Sequence, residues 1–229
     1  MSSIPSDDAG LFELMRQELF TAVVGDVLDA AGCTRQFLPP DIRALRADMV
    51  VAGRAMTVLE ADCCGDDVAA ERIRRPFGLM FRALDDLKPG EVYLCTGASF
   101  EYALWGELMS TRAHHCGAAG AVVNGFSRDT RGILRMEFPV FSRGTYAQDQ
   151  RMRGRVIDFR CPLAFPNGVR VSSGDVLFGD IDGVLVIPHR VLRDTVAAAL
   201  EKVRGENKVA AAIRVGMPTQ EAWNKFGIM

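Results

Sequence analysis

The stretch from Ala103 to Asp129, ALWGELMSTRAHHCGAAGAVVNGFSRD, constrains this chain more than any other. Gly106 and Glu107 open an amphipathic helix that the pattern ends near Gly117, and Ala119 to Asn124 then reads as a short apolar strand. The strand delivers Arg128 and Asp129 to its C-terminal end, where α/β folds build their sites. The same order recurs upstream: Pro76 to Leu87 carries apolar residues at helical spacing, and Lys88-Pro89-Gly90 ends it before the strand Glu91 to Cys95.

Two further helices are expected at Leu11 to Leu19 and Thr21 to Ala31, the second stopped by Gly32. Gln36 to Ala47 reads as a connector, and Met49 to Glu60 as a strand interrupted by a glycine. Cys63 to Glu71 reads as a polar loop, Leu104 to Cys116 as helix, Gly132 to Met136 as a short helix, and Phe138 to Arg143 as an edge-like strand. Short β-like segments follow at 156–159, 168–171, 175–179 and 183–187. A long helix then runs from Val191 through Arg214, and Pro218 marks another helix start. With no internal repeat or linker-like run, one α/β domain with a mixed sheet over residues 1–229 is the simplest organisation.

Composition narrows the function classes. The formal net charge is −2, with 27 Lys plus Arg against 29 Asp plus Glu, which provides no field for a polyanion and argues against nucleic acid as partner. Most of the positive charge is guanidinium, suited to gripping carboxylates or phosphates, so small acidic substrates remain in play. The six cysteines have no CxxC spacing, and reduced, partly buried thiols are expected. The first fifteen residues lack a basic region followed by an apolar core, and no window approaches the roughly 18 apolar residues of a membrane span. A cytoplasmic protein without a membrane partner is expected.

Among the chemistry-bearing residues, Arg128-Asp129 after an apolar strand is a site candidate, with a structural salt bridge or turn-capping pair as the other reading. A hard divalent ion such as Mg²⁺ prefers a few carboxylates and several waters, which Asp129 and Glu107 would suit. Arg128 cannot ligate a metal but can grip a substrate oxygen or stabilise an enolate. The helix opened near Glu107 offers backbone N–H groups to an anion. Trp105 either floors a pocket or simply packs. Neither a Rossmann GxGxxG, a P-loop nor a GxSxG elbow is present. His114 and His115 read as a surface residue and a packing residue.

At this point the segment ALWGELM...GAAGAVVNGFSRD resembles the family that includes the 4-hydroxy-4-methyl-2-oxoglutarate/4-carboxy-4-hydroxy-2-oxoadipate aldolases and the RraA-type regulators of ribonuclease E. GDVLDAAG near Asp26, VAGRAMTV near Gly53, LKPGEVYL near Gly90, FPVFSRGT near Arg143, GDIDGVLVIP near Asp182 and the final GMPTQEAWNKFGIM occur in the family's order. The resemblance implies a single RraA-like domain with a layered αββα fold and central β-structure, assembled as a homotrimer or homohexamer with sites near subunit boundaries.

It also implies roles. Enzyme members share an acidic residue, twenty intervening residues, then Arg-Asp, which here are Glu107 and Arg128-Asp129. By that resemblance Asp129 is the nearest protein ligand of Mg²⁺ or Mn²⁺, and Glu107 holds a metal-bound water. Arg128 binds the keto oxygen and stabilises a pyruvate enolate. Backbone amides around Gly106, Leu108 and Met109 receive the substrate carboxylate, and Glu206 of a neighbouring subunit is the candidate for a further carboxylate. The implied activity is a class II, metal-dependent lyase acting on a 2-oxo acid, by retro-aldol cleavage of a 4-hydroxy-2-oxo acid with release of pyruvate or by decarboxylation of oxaloacetate. The alternatives are a non-catalytic regulator that binds a protein partner, or another metal-dependent enzyme on a hydroxy or oxo acid. Residues 61–78 resemble the family least, and Cys63, Cys64, Asp66, Asp67, Arg72 and Arg75 are candidates for tuning the substrate.

Overall fold

The computed structural model describes residues 4–63 and 77–227. Cys64, Asp66, Asp67, Arg72 and Arg75 lie outside the described residues. A central strand, β2 (Val51–Asp62), organises the molecule. Its even-numbered and odd-numbered side chains point to opposite faces of the sheet. Both faces are buried over most of its length, which is why the strand reads as a near-continuous apolar run rather than an alternation.

On one edge β2 pairs in parallel with β3 (Glu91–Thr96), which pairs in parallel with β5 (Gly120–Val123) and through it with β7 (Val140–Ser142). The two-residue strand β1 (Arg43–Ala44) closes that side antiparallel to β7. On its other edge β2 is shared. Val51 to Arg54 pair with β11 (Val176–Asp180), itself paired to β12 (Gly183–Ile187), while Val58 to Asp62 pair with β8 (Gly154–Phe159). Two small sheets stand apart: β4 (Ala103–Trp105) parallel to β6 (Phe126–Ser127), and β9 (Leu163–Ala164) antiparallel to β10 (Arg170–Val171).

Helices cover the even face of β2. Over its first half lie α1 (Asp8–Glu18), α2 (Thr21–Ala30) and the long α6 (Leu192–Arg214), whose apolar stripes bury Ala52, Phe178, Leu185 and Ile187. Over its second half lie α3 (Met80–Asp85), α4 (Glu107–His115) and α5 (Thr130–Met136), packed on Met56, Val58, Tyr93 and Trp105. The odd face packs on Leu38, Ile42 and the β9–β10 hairpin. A final helix, α7 (Thr219–Phe226), starts at Pro218 as expected. The result is a mixed sheet flanked by helices, consistent with the layered αββα fold.

Three local expectations need correction. The glycine does not interrupt β2: Gly53 stays in register with Leu177, and a Cβ there would lie 2.4 Å from the Gly90 carbonyl oxygen, so close approach of two backbones is what demands glycine. The shift in register falls instead at Leu59/Glu60, opposite β8. The helix expected from Pro76 begins only at Met80, because Phe77 and Gly78 have positive φ. Leu104 and Trp105 belong to strand β4, not to the following helix; both are fully buried, and pairing with β6 wins over helical spacing.

Candidate active site

The parallel pair β4–β6 explains the twenty-residue spacing. Its register sets Trp105 beside Ser127, and the Arg128 N–H donates to the Trp105 carbonyl at 2.9 Å. The residues that leave these strands, Gly106-Glu107 and Arg128-Asp129, are therefore brought together after the chain has passed through α4 and β5. Gly106 leaves room for this approach: a Cβ there would sit 2.9 Å from Asp129 Oδ2 and displace that carboxylate.

Asp129 has φ 57° and ψ 29°, the left-handed region that Asp tolerates better than most residues. It precedes α5, yet its carboxylate makes no capping hydrogen bond; the backbone carbonyl alone accepts, from Gly132 N at 2.9 Å. The turn-capping reading of this residue is thereby answered. The salt-bridge reading is answered only in part. Arg128 Nε lies 3.7 Å from Asp129 Oδ2, whereas its NH1 lies 2.9 Å from Asp149 Oδ1, so Asp149 is the closer partner.

Helix α4 starts without a side-chain cap, and the amides of Glu107, Leu108 and Met109 have no acceptor one turn back. Trp105 is held over this helix start, its Nε1 donating to Ser110 Oγ at 2.7 Å, and Ser110 Oγ donating to the Gly106 carbonyl at 3.1 Å. The first turn is thus an anion-receptive end fixed by buried contacts.

These groups line one cavity of about 490 Å³. Trp105 and Leu104 lie at its buried side, Phe77, Met80, Phe81, Leu84 and Met109 provide apolar walls, and Gly106, Arg128, Asp129, Asp149 and Gln150 provide the polar ones. Trp105 therefore does floor a pocket. Glu107 does not line the cavity; its carboxyl rests against α5, where a Cβ on Gly132 would come within 2.2 Å of Glu107 Oε2. Glu206 lies on α6, with Lys202 Nζ 3.9 Å from its Oε1, and is not among the residues lining this cavity. His114 and His115 are exposed on α4, His114 edge-on to Phe138 at 6.2 Å.

Asp149, Gln150 and Glu60 were not anticipated. Gln150 is buried, and its Nε2 donates to Glu60 Oε2 at 2.8 Å. Burial of Glu60 pushes its carboxyl up to about 8, against an ordinary value near 4.5, and the Gln150 bond offsets this only partly. The signal available beforehand was a carboxylate near the end of a mostly apolar strand; the QDQ at 148–150 carries no motif.

The donor set suits a hard cation. Among the described residues no group of three or more His, Cys, Asp or Glu side chains is gathered; the carboxylates lining the cavity are Asp85, Asp129 and Asp149, oxygen donors of the kind Mg²⁺ takes. Cys33, Cys95, Cys116 and Cys161 form no disulfide among the described residues. Among the described residues, no helix is long and apolar enough to cross a membrane.

Comparison with known proteins adds four findings. A family model, RraA-like: Aldolase/RraA, matches residues 21–186. The chain is 28% identical over 203 residues to Protein DlpA of Legionella pneumophila, covering 88% of this chain but spanning only 31% of that protein's length. It is 32% identical over 169 residues to a "Putative 4-hydroxy-4-methyl-2-oxoglutarate aldolase" of Halalkalibacterium halodurans, covering 73% of this chain and 72% of that one. Among solved structures, one of novel cellulases from microbes associated with the gut ecosystem superimposes with a TM-score of 0.79 at 29% identity, covering 90% of each chain.

Proposed function

The chain belongs to the RraA-like Aldolase/RraA family, and from that premise we propose that it is a divalent-metal-dependent lyase acting on a small 2-oxo acid. The reaction is retro-aldol cleavage of a 4-hydroxy-2-oxo acid with release of pyruvate, or decarboxylation of oxaloacetate. One observation carries this reading: an uncapped helix start at Gly106, the Arg128 guanidinium and a carboxylate at Asp129 that caps nothing converge on a single cavity with apolar walls.

In this reading the substrate carboxylate lies at the backbone amides around Gly106, Leu108 and Met109, and Arg128 meets the C2 oxygen. Bound at Asp129, Mg²⁺ or Mn²⁺ supplies Lewis-acid stabilisation of the enolate. In the retro-aldol direction the 4-hydroxyl loses its proton towards Glu107 through water, and the C3–C4 bond breaks. Its electron pair becomes the C2–C3 enolate, which Arg128 stabilises, and protonation at C3 yields pyruvate and a carbonyl product. Decarboxylation passes through the same enolate without the base. Loss of Glu107 therefore damages aldol cleavage more than decarboxylation.

As part of the same proposal the chain self-associates as a trimer or hexamer, with Glu206 of a neighbouring copy supplying a further carboxylate. The exposure of Leu108 (84%) and Phe81 (55%) beside the cavity supports a contact on that face. A glycosidase reading, taken from the structural relative, has less support. Asp129 and Asp149 both lie against Arg128, at 3.7 and 2.9 Å, rather than facing each other across a bond to be cleaved.

The test is a coupled pyruvate assay with oxaloacetate and 4-hydroxy-4-methyl-2-oxoglutarate, each with Mg²⁺, Mn²⁺ or EDTA, on wild type and Asp129→Ala. Metal-dependent pyruvate lost in the variant is the expected result. Undiminished release from a folded, assembled Asp129→Ala protein would sink the lyase reading. Partner binding that ignores chelation would favour a regulator.

A further inference from the structure

The site-facing side of β2 ends in an acid where an apolar residue would be expected. Met56, Val58 and Glu60 share that face, and Glu60 is only 1% exposed. Its Oε2 accepts from Gln150, and its Oε1 has no partner among the described residues. The other deeply buried acids are built differently. Asp180 accepts from the Thr21 N–H and hydroxyl and from Asp182 N, and Asp175 accepts from Ser172 N and His189 N. Those carboxylates fasten backbone segments and are well satisfied by backbone donors. Among the described residues Glu60 has a single side-chain donor, so its burial is unfavourable as packing and that connection is what distinguishes it from a leucine.

That connection leads to the cavity. Gln150 is 3% exposed and lines it. The preceding residue, Asp149, holds Arg128 NH1 at 2.9 Å, and the Gln148 carbonyl accepts from Ala103 N at 2.9 Å. Three consecutive residues thus tie to three different parts of the site: β4, the Arg128 guanidinium and the interior strand β2. The Arg128–Asp149 pair is itself more than a third exposed on both sides, and an ion pair so placed fixes geometry weakly on its own. Backbone bonds from Arg153 N and Gly154 N to the Gln150 carbonyl, at 2.7 and 2.9 Å, shape the turn, and the Glu60 bond ties the Gln150 side chain to the sheet.

We propose that Glu60 is a positioning residue of this site: it anchors Gln150 and thereby holds Asp149 against the Arg128 guanidinium. The kinetic consequence rests on the lyase reading above, whereas the geometric consequence does not. Tyr93 and Cys95 from β3 and Tyr102 from the segment before β4 face the same carboxyl, and none carries a cation that could replace Gln150 as its partner.

Three variants test this. Glu60→Gln keeps a side-chain oxygen for Gln150, Glu60→Leu removes it, and Gln150→Leu breaks the contact from the cavity side, which covers the case in which Glu60→Leu does not fold. Crystal structures of the variants are expected to show the Arg128–Asp149 contact kept in Glu60→Gln and opened in the two leucine variants. In pyruvate release, kcat is expected to fall about 10²-fold in the leucine variants, the scale of a catalytic group misplaced by about 1 Å, with KM little changed and Glu60→Gln near wild type. An Arg128–Asp149 contact that survives in both leucine variants, or a Glu60→Gln protein as impaired as Glu60→Leu, would overturn the proposal. If the wild type releases no pyruvate, the lyase reading fails while the crystallographic comparison still decides the role of Glu60.

Discussion

Replacing Glu60 with glutamine makes a quantitative prediction about stability that is independent of any reaction. The carboxyl is held neutral in the folded protein up to about pH 8, while an unfolded chain ionises it near 4.5. A folded-state value raised in this way means that the stabilising contribution of the group is complete below pH 4.5 and is lost as pH rises towards 8. The slope is about 1.4 kcal/mol per pH unit, which between pH 5 and pH 8 amounts to roughly 4 kcal/mol lost by the wild type and not by Glu60→Gln. Any constant cost of fitting the amide cancels when the two proteins are compared across pH. Tyr93, Cys95 and Tyr102 do not confuse the comparison, since burial pushes each of them up, out of this window. Denaturant unfolding of both proteins at fixed protein concentration, at pH 5, 6, 7 and 8, measures the difference directly. A wild-type minus variant difference that stays flat over that range would refute the claim that Glu60 is buried as a neutral acid.

Other perturbations follow from the same geometry. Gly132→Ala places a Cβ about where the Glu107 carboxyl now lies, 2.2 Å from its Oε2, so the carboxyl must move; aldol kcat is expected to fall while oxaloacetate decarboxylation is spared, read in the same pyruvate assay. Arg160→Met leaves Glu91, whose side chain is 13% exposed, without the bidentate guanidinium at 2.8 and 2.9 Å, and should cost about 3 kcal/mol in denaturant unfolding. Tyr93→Phe removes a buried hydroxyl that has no partner among the described residues, and should leave the protein as stable or more stable by about 1 kcal/mol, measured by thermal melting.

Much of the fold was legible because it rests on local periodicity. The helices α1, α2, α4 and α6 and the strands β2, β3, β5, β11 and β12 all fall where apolar spacing and glycine or proline punctuation put them. The failures have one cause. β4 is three residues long and is a strand only because Phe126 and Ser127 come back to pair with it, and α3 starts late because two residues of positive φ intervene. Local spacing contains neither fact.

The site divides in the same way. Sequence alone placed Glu107, Arg128 and Asp129 in one strand-bounded unit, because the apolar spacing between them reads as a helix followed by a short strand. Only the tertiary structure decided that Arg128 turns to Asp149, that Glu107 lies on Gly132 rather than on the cavity, and that Glu60 supports the wall through Gln150. Asp149 lies 21 positions from Arg128 and Gln150 lies 90 from Glu60. Such contacts are set by where the sheet and its loops pack, which no local pattern of side chains encodes.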